Sequence, residues 1–258
     1  MLAHLEEMFR LVRQFLLNKG RTKLESHGLN PKGDVSKGFD LAAEEIVINY
    51  CRNKRLPVEL VTEERGIVKI SDSPEYTLVL DPVDGSINFA KGIEAVGFSI
   101  AVLPYGELLL DNVKFGLIGN VFSGTVFKAE KGKGAFRNNE RIKTSRIENL
   151  SKAFLFTASE ASKIRDMLNI IKKVDRVRCL GSASLELSFI ANGSAEVLII
   201  MGLTPENFAA AYLIIKEAGG ILTDVRGNEL PALDMKKGYD ILAAGNKKMH
   251  EQIIELLR

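Results

Sequence analysis

Two aspartates, Asp81 and Asp84, lie three positions apart around a proline in the stretch YTLVLDPVDGSINFAKG, residues 76–92. The apolar run before them is typical of a β-strand, and open α/β sheets tend to place ligand sites at the carboxyl ends of their strands. Because neighbouring carboxylates repel each other, a cation between them would stabilise both. A hard divalent cation such as Mg²⁺ is the simplest candidate, and the backbone carbonyl of Val83 would add another oxygen ligand.

Gly85 and Ser86 follow directly and begin a predicted helical turn, SINFAKG. Backbone N–H groups at a helix N-terminus favour an anion through hydrogen bonds and through the helix dipole. The segment therefore offers metal ligands next to a phosphate site. Asp, Pro and Gly are also common in β-turns, so the segment taken alone is equally compatible with an ordinary turn and a helix cap.

Further carboxylates lie upstream of this segment. Glu63 and Glu64 stand at the end of another predicted strand, in LVTEERG, and Asp34 and Asp40 lie in GDVSKGFD. An acidic pair by itself is usually solvated surface. The presence of all three acidic segments in one chain favours a shared metal site.

Few other side chains could carry a different chemistry. The three histidines, His4, His27 and His250, lie in terminal or helix-end segments away from these motifs. The two cysteines, Cys51 and Cys179, are far apart in the sequence and neither begins a phosphate-binding cysteine loop. A disulfide framework or a cysteine-rich metal site is therefore not expected, and carboxylates must supply the chemistry.

The composition is that of a globular protein with a sizeable core, since 46% of the 258 residues are hydrophobic and 26% are charged. The net charge is only +2 and the basic residues are scattered, so nucleic acid is not the expected partner. Charged residues interrupt the apolar positions of the N-terminal segment, which predicts an amphipathic helix rather than a signal peptide or a membrane span. A cytoplasmic location is expected.

The elements that must position the acidic residues fall into two parts. Two helices, the first ending at about Leu17 and the second in FDLAAEEIVINYCRNK, flank a polar loop or hairpin. Short β-branched runs from residue 58 onward predict a largely antiparallel sheet. From about residue 150 the pattern alternates between the strands AFLFTA, RVRCL, AEVLIIM and ILTDV and the helices ASKIRDMLNIIKKV, SASLELSFIANG and TPENFAAAYLIIKEAGG.

We therefore expect an α/β (α+β) fold. The predicted halves are an N-terminal α+β half over residues 1–148, which carries the antiparallel sheet and the metal site, and a C-terminal α/β half over residues 149–258. The second half would complete the substrate site.

At this point the chain closely resembles the inositol monophosphatase superfamily of Mg²⁺-dependent, Li⁺-sensitive phosphatases. The resemblance spans most of the chain and rests on Asp34, Asp40, Glu63, the stretch DPVDGSINF, the hairpin-like GKGAFRNNERI, GSASLELSFIANG and the late AAAYLIIKEAGG. It implies the sugar-phosphatase fold, a layered α-β-α-β-α sandwich, and a homodimer. A phosphorylated small molecule would be the substrate.

By resemblance, the Mg²⁺ ligands would be the carboxylates of Glu63, Asp81 and Asp84 together with the carbonyl of Val83. Glu63 would also count among the catalytic residues, because its metal activates the attacking water. The physical logic agrees, since clustered Mg²⁺ ions activate water and neutralise phosphoryl charge without a covalent nucleophile.

The resemblance also assigns the phosphate end of the site. Asp84, Gly85 and Ser86 would bind the phosphate, and Ser86 keeps the hydroxyl of the threonine that is more usual in the family. Asp40 would orient or share the activated water with Ser86 as its hydrogen-bond partner. Asp34 would support the site from the loop that contains Lys32 and Lys37.

Gly181 and Ser182 lie where the predicted strand RVRCL meets the next helix. In the family this junction contacts the sugar or polyol, so both residues are candidates for the substrate site. Ser182 is equally compatible with a role as helix N-cap only.

One position departs from the family pattern. Where the family has a Trp-Asp pair whose aspartate is a metal ligand, this chain has Glu206 and Asn207. An asparagine offers a carbonyl oxygen to Mg²⁺ but no negative charge, so that metal should bind more weakly. Glu206 could substitute only if the helix start shifted, because adjacent helical residues point about 100° apart. Thr204 and Pro205 make Glu206 an ordinary first-turn acid instead.

The leading hypothesis is a Mg²⁺-dependent phosphomonoesterase that hydrolyses inositol monophosphate, fructose 1,6-bisphosphate or both by metal-activated water. A second hypothesis is a catalytically weakened relative that binds metal and phosphorylated ligands in a regulatory role, as the loss of a carboxylate at Asn207 would allow. A third is a haloacid-dehalogenase-like phosphatase with Asp81 as nucleophile. That class places its two aspartates two positions apart, whereas these are three apart.

Overall fold

The computed structural model describes residues 1–30, 33, 35–157, 167–230 and 232–258. The chain begins with the amphipathic helix α1 (Leu2–Lys19), whose buried residues follow one face. A hairpin of β1 (Ser26–Leu29) and β2 (Val35–Lys37) leads into helix α2 (Gly38–Asn53). Three short 3₁₀ turns occur at Gly20–Thr22, Leu110–Asn112 and Leu150–Lys152.

An eight-stranded sheet follows, in the spatial order β10-β9-β8-β7-β6-β5-β3-β4. Its strands β3 and β5 are parallel and all its other pairs are antiparallel. A short helix, α3 (Ser86–Lys91), lies between β5 and β6. The strands are β3 (Val58–Thr62), β4 (Gly66–Lys69), β5 (Tyr76–Asp84), β6 (Gly97–Pro104), β7 (Phe115–Asn120), β8 (Val126–Glu130), β9 (Ala135–Arg137) and β10 (Glu140–Arg141).

The second sheet has five strands in the order β12-β11-β13-β15-β14. Strand β11 is parallel to both of its neighbours, whereas β15 is antiparallel to β13 and to β14. Its elements are β11 (Phe154–Thr157), α4 (Leu168–Ile171), β12 (Arg176–Arg178), α5 (Ala183–Ala191), β13 (Val197–Leu203), α6 (Pro205–Ala218), β14 (Ile221–Asp224), β15 (Tyr239–Ala244) and α7 (Lys247–Leu257).

Five layers pack around three hydrophobic clusters. Helices α1 and α2 cover one face of the large sheet, helices α5 and α6 lie between the two sheets, and α4 and α7 cover the outer face of the small sheet. The alternation along β5 shows this directly, because Leu78 and Leu80 pack toward α1 and α2 whereas Val79 packs toward α5 and α6. The predicted α-β-α-β-α sandwich is confirmed.

Most predicted elements are present with similar bounds, including the hairpin before α2. The sequence analysis did not include β15 or α7. Residues 161–166 of the predicted helix ASKIRDMLNIIKKV lie outside the described residues, and in the remainder only Leu168–Ile171 is helical, as α4. Within the described part of the chain, no helix combines the length and the apolar character needed to cross a membrane. The division at residues 148 and 149 stays a prediction.

Candidate active site

A β-bulge brings the two aspartates of the DPVDG segment to the same side of their strand. Asp81 is opposite Ser99 and Asp84 is opposite Gly97, so β5 spans three steps where β6 spans two. In a regular strand, residues three apart point to opposite faces, and the extra residue reverses this. Pro82 lies in the bulge, where a ladder N–H is not needed. The strand does not end with the apolar run before Asp81, as the sequence indicated, because β5 continues through Pro82 to Asp84.

The two aspartates line a cavity of about 460 Å³ at this edge of the sheet. The cavity also receives residues from β2, α2, the β3–β4 turn, α3, the loop before α5 and the start of α6. Of the predicted site residues, those on its wall are Asp40, Glu63, Asp81, Val83, Asp84, Gly85, Ser86, Gly181 and Asn207. Asn30, Val35, Lys37, Glu64 and Ile87 complete the lining, and Asp34 lies outside the described residues.

The carboxylates in this cavity are buried close to one another. Asp81 and Asp84 are only 2% and 6% exposed. Burial, followed by the charges of Glu63 and Asp84, raises the pKa of Asp81 well above its usual range. Burial also raises the pKa of Asp84, although hydrogen bonds from Ser184 and Ser182 oppose that shift. Such a cluster of buried acids is stabilised by a cation.

Asp40 and Ser86 meet from two different elements. Asp40 lies in the first turn of α2, where the Lys37 N–H donates to its Oδ2 at 3.2 Å. The Ser86 hydroxyl lies 2.7 Å from Asp40 Oδ1 and 3.0 Å from the carbonyl oxygen of Val83. Burial raises the pKa of Asp40 to about 7 with help from the Glu64 and Glu63 charges, and the Ser86 hydrogen bond lowers it.

The N-terminus of α5 holds Asp84 in place. Asp84 Oδ2 accepts hydrogen bonds from Ser182 Oγ at 2.7 Å, from the Ser184 N–H at 2.7 Å and from Ser184 Oγ at 2.5 Å. Ser182 is fully buried and does not line the cavity, and its hydroxyl makes no capping bond to α5. The structure therefore places Ser182 behind Asp84, and Ser184 is a positioning residue that the sequence analysis missed.

Two glycines shape the wall between the aspartates and α5. Gly85 has φ +100°, and a Cβ there would lie 2.9 Å from the carbonyl oxygen of Ala95. Gly181 has φ +75° and contacts Asn88, so both backbones favour glycine. Asn88 Nδ2 donates to the carbonyl oxygens of Ala95 at 2.8 Å and of Leu180 at 2.6 Å, which ties α3 to the loop before α5.

The start of α6 separates Asn207 from Glu206. Asn207 lines the acidic cavity, and its Nδ2 donates to Thr204 Oγ1 at 3.3 Å, which leaves its oxygen as the group suited to a cation. Glu206 is buried, accepts from Thr204 Oγ1 at 2.6 Å and lines a different cavity of about 400 Å³. The two side chains thus lie on different walls, as their helical spacing requires.

Glu44 supports the turn that carries Glu63. It is fully buried in α2, accepts from the Glu64 N–H at 3.2 Å and pairs with Arg65, whose Nε lies 3.3 Å from its Oε1. Burial raises the pKa of Glu44 to about 7. The sequence analysis missed this residue because an acid in an amphipathic helix is usually on the solvated face.

The donor set fits Mg²⁺ by its chemistry. It consists of hard oxygen donors: three carboxylates, the carbonyl of Val83 and the amide oxygen of Asn207. Over residues 1–30, 33, 35–157, 167–230 and 232–258, no three acidic, histidine or cysteine side chains converge tightly enough to hold an ion as they stand.

Comparisons with known proteins point to one family. The chain matches the family described as the inositol monophosphatase family over residues 6–258. It is 34% identical over 235 residues to a fructose-1,6-bisphosphatase/inositol-1-monophosphatase of Methanothermobacter thermautotrophicus, covering 87% of this chain and 84% of that protein. It is also 34% identical over 243 residues to a bifunctional NADP phosphatase/NAD kinase of Methanococcus maripaludis, covering 86% of this chain and 42% of that protein. The solved structure of an inositol monophosphatase of Thermotoga maritima superposes with a TM-score of 0.85 at 25% identity, covering 99% of this chain and 96% of that one.

Proposed function

The chain belongs to the inositol monophosphatase family and is a phosphoric monoester hydrolase, and we propose that it uses Mg²⁺ to hydrolyse inositol monophosphate and fructose 1,6-bisphosphate. The observation that carries this proposal is the bulge in β5, which turns both Asp81 and Asp84 into the cavity where Asp40 and Ser86 meet. The proposed metal ligands and the proposed proton-relaying pair therefore line the same cavity.

Glu63, Asp81, Asp84, the Val83 carbonyl and Asn207 would hold the metal. When bound there, Mg²⁺ supplies positive charge that activates the attacking water and stabilises the phosphoryl oxygens and the leaving alkoxide. These ligands come from the β3–β4 turn, from the bulge of β5 and from the first turn of α6. Three separate elements must therefore keep their relative positions for the site to form.

Asp40 and Ser86 would orient and deprotonate the attacking water. The 2.7 Å hydrogen bond between them lets the Ser86 hydroxyl pass its proton to Asp40 as it accepts one from water. A pKa of Asp40 near 7 suits a group that must accept a proton at neutral pH.

Asp84, Gly85 and Ser86 would bind the phosphate. Gly85 lets the chain turn sharply from β5 into α3, so that the backbone approaches the cavity closely. Gly181, on the facing wall, would contact the sugar or polyol, and Ser182 would act through Asp84.

The sequence that precedes α6 bears on the choice between substrates. The segment LIIMG before α6 is apolar, whereas inositol-specific members often place an acid there for the polyol hydroxyls. We therefore expect fructose 1,6-bisphosphate to be hydrolysed at least as well as inositol monophosphate. The name of the Methanothermobacter thermautotrophicus relative covers both activities.

Phosphate release from inositol 1-phosphate, fructose 1,6-bisphosphate and NADP, each at saturating Mg²⁺, tests the proposal. We expect turnover of the first two, with NADP as the comparison substrate that the relative of Methanococcus maripaludis suggests. Exclusive turnover of NADP would overturn the substrate assignment. No turnover, together with Mg²⁺-dependent binding of the same compounds, would favour the binding-protein alternative that Asn207 allows.

A homodimer and a cytoplasmic location complete the proposal. The dimer rests on family resemblance, and the location rests on the charged residues that interrupt the N-terminal helix. Light scattering on the purified protein tests the dimer, and a single-chain mass would contradict it.

A further inference from the structure

Glu186 is a buried carboxylate that the proposed reaction does not use. It lies near the start of α5, is 2% exposed, and accepts two backbone hydrogen bonds with the same oxygen. The donors are the N–H of Leu180, at 2.5 Å from Oε1, and the N–H of Gly181, at 3.3 Å. Burial removes water from this carboxylate at a large cost in free energy, and its hydrogen bonds must offset that cost.

The loop that Glu186 holds is a wall of the cavity. Gly181 lines the cavity, and because glycine restricts its own backbone so little, contacts from other residues must hold it at its φ of +75°. Glu186 accepts from the N–H groups of two successive peptides, the one that joins Cys179 to Leu180 and the one that joins Leu180 to Gly181.

The same loop is tied to the phosphate end of the site. The carbonyl oxygen of Leu180 accepts from Asn88 Nδ2 at 2.6 Å, and Asn88 belongs to α3, which begins at Ser86. The carbonyl oxygen of Gly181 also lies 3.2 Å from where a Cβ on Gly85 would be. A shift of the Leu180–Gly181 peptide would therefore reach both Asn88 and Gly85.

We infer that Glu186 is a positioning residue, which sets the distance between the wall at Gly181 and the phosphate loop Gly85–Ser86 through its hydrogen bonds to the Leu180–Gly181 backbone. This inference rests on the proposed function, because the proposed function assigns the phosphate group to the loop Gly85–Ser86. The acceptor oxygen, rather than the negative charge, performs this role.

Three variants distinguish the role of the acceptor oxygen from that of the negative charge and from general destabilisation of the fold. Glu186→Asp shortens the side chain by one methylene group and withdraws the acceptor, whereas Glu186→Gln keeps an acceptor oxygen at the same reach. Glu196→Ala is the matched control, because Glu196 is also a buried carboxylate that accepts a backbone N–H, from Phe154 at 2.7 Å, but does not line the cavity.

The experiment measures KM and kcat for fructose 1,6-bisphosphate and the Kd of inorganic phosphate by calorimetry in Mg²⁺. For Glu186→Asp we expect KM and Kd to rise about tenfold with little change in kcat, because binding to substrate and transition state weakens alike. Glu186→Gln should stay within about twofold of wild type, and Glu196→Ala should lower the melting temperature while leaving Kd unchanged.

Wild-type phosphate affinity in Glu186→Asp would overturn the inference alone, and so would an equal loss of affinity in Glu186→Gln. An equal loss in Glu196→Ala would likewise overturn it, because the effect would then be general destabilisation. Wild-type protein that binds no phosphate would overturn the proposed function, and the inference with it. Phosphate binding without turnover still tests the inference, since Kd does not depend on catalysis.

Discussion

The Ser86 hydroxyl lies 2.7 Å from Asp40 Oδ1, although the two residues are 46 positions apart in the sequence. Helix α2 carries Asp40 and helix α3 begins with Ser86, and the packed rings of Phe39 and Phe89, with centroids 4.6 Å apart, hold these two helix starts together. The packing of these two helix starts therefore brings the pair together.

Replacing Ser86 tests the role of this pair. Ser86→Ala removes the hydroxyl, and we expect kcat to fall by about 100-fold or more, the usual effect of losing a proton-transfer group. Ser86→Thr keeps the hydroxyl and should retain most of the activity. Steady-state kinetics at saturating Mg²⁺ measure both, and an active Ser86→Ala variant would exclude the proton relay.

As a proposed metal ligand, Asn207 is expected to affect how tightly one metal is held. Asn207→Asp adds a negative charge to the cavity wall, so the Mg²⁺ concentration for half-maximal activity should fall by roughly tenfold, equivalent to about 1.4 kcal/mol of added attraction. Calorimetric titration with Mg²⁺ should show the same shift.

Glu206→Gln is the control for that prediction. Glu206 neighbours Asn207 but lines the other cavity, so its loss of charge should leave the Mg²⁺ dependence almost unchanged. If Glu206→Gln weakens Mg²⁺ binding and Asn207→Asp does not strengthen it, the assignment of the ligand at this helix must be reversed.

The raised pKa of Asp40 predicts how stability depends on pH without metal. Folding raises the pKa of this carboxyl from an ordinary 3.8 to about 7, so the folded protein binds the proton more tightly than the unfolded chain does. The contribution of Asp40 to the free energy of unfolding is fully present below about pH 4 and is lost as the pH rises through about 7.

Thermal melts in EDTA should therefore show a fall in melting temperature over that interval, and Asp40→Asn should make the fall shallower. Added Mg²⁺ should raise the melting temperature more at about pH 8 than at about pH 5, because it binds the deprotonated carboxylates. Parallel pH profiles for wild type and Asp40→Asn would show that Asp40 does not titrate as its burial implies.

Much of the fold follows from the sequence, because the apolar periodicity of each element matches the face that it buries. The buried residues of α1 and α6, for example, repeat at helical spacing, and the alternation along β5 assigns its two faces. The position of β15 between β13 and β14 could not be predicted, since pairing between distant segments leaves no local signal.

The acidic segments that line the cavity were also predictable, because short motifs at the ends of strands carry the proposed ligands. The bulge that turns Asp81 and Asp84 to one side was not predicted, since it depends on the register of β5 against β6. The buried supports Glu44, Ser184 and Glu186 were missed for another reason: their roles depend on contacts with Glu64, Asp84 and Leu180, and sequence spacing does not show those contacts.

The dependence of phosphate release on Mg²⁺ in wild type and in Asp84→Asn tests the central claim most directly. Asparagine nearly preserves the shape of the side chain and can still accept hydrogen bonds from Ser182 and Ser184, so the fold should survive. The account predicts Mg²⁺-dependent turnover of fructose 1,6-bisphosphate in wild type and a loss of about 100- to 1000-fold in the variant, with unchanged circular dichroism. Near-wild-type turnover by a folded Asp84→Asn variant would contradict the assignment of this cavity as the metal-dependent active site.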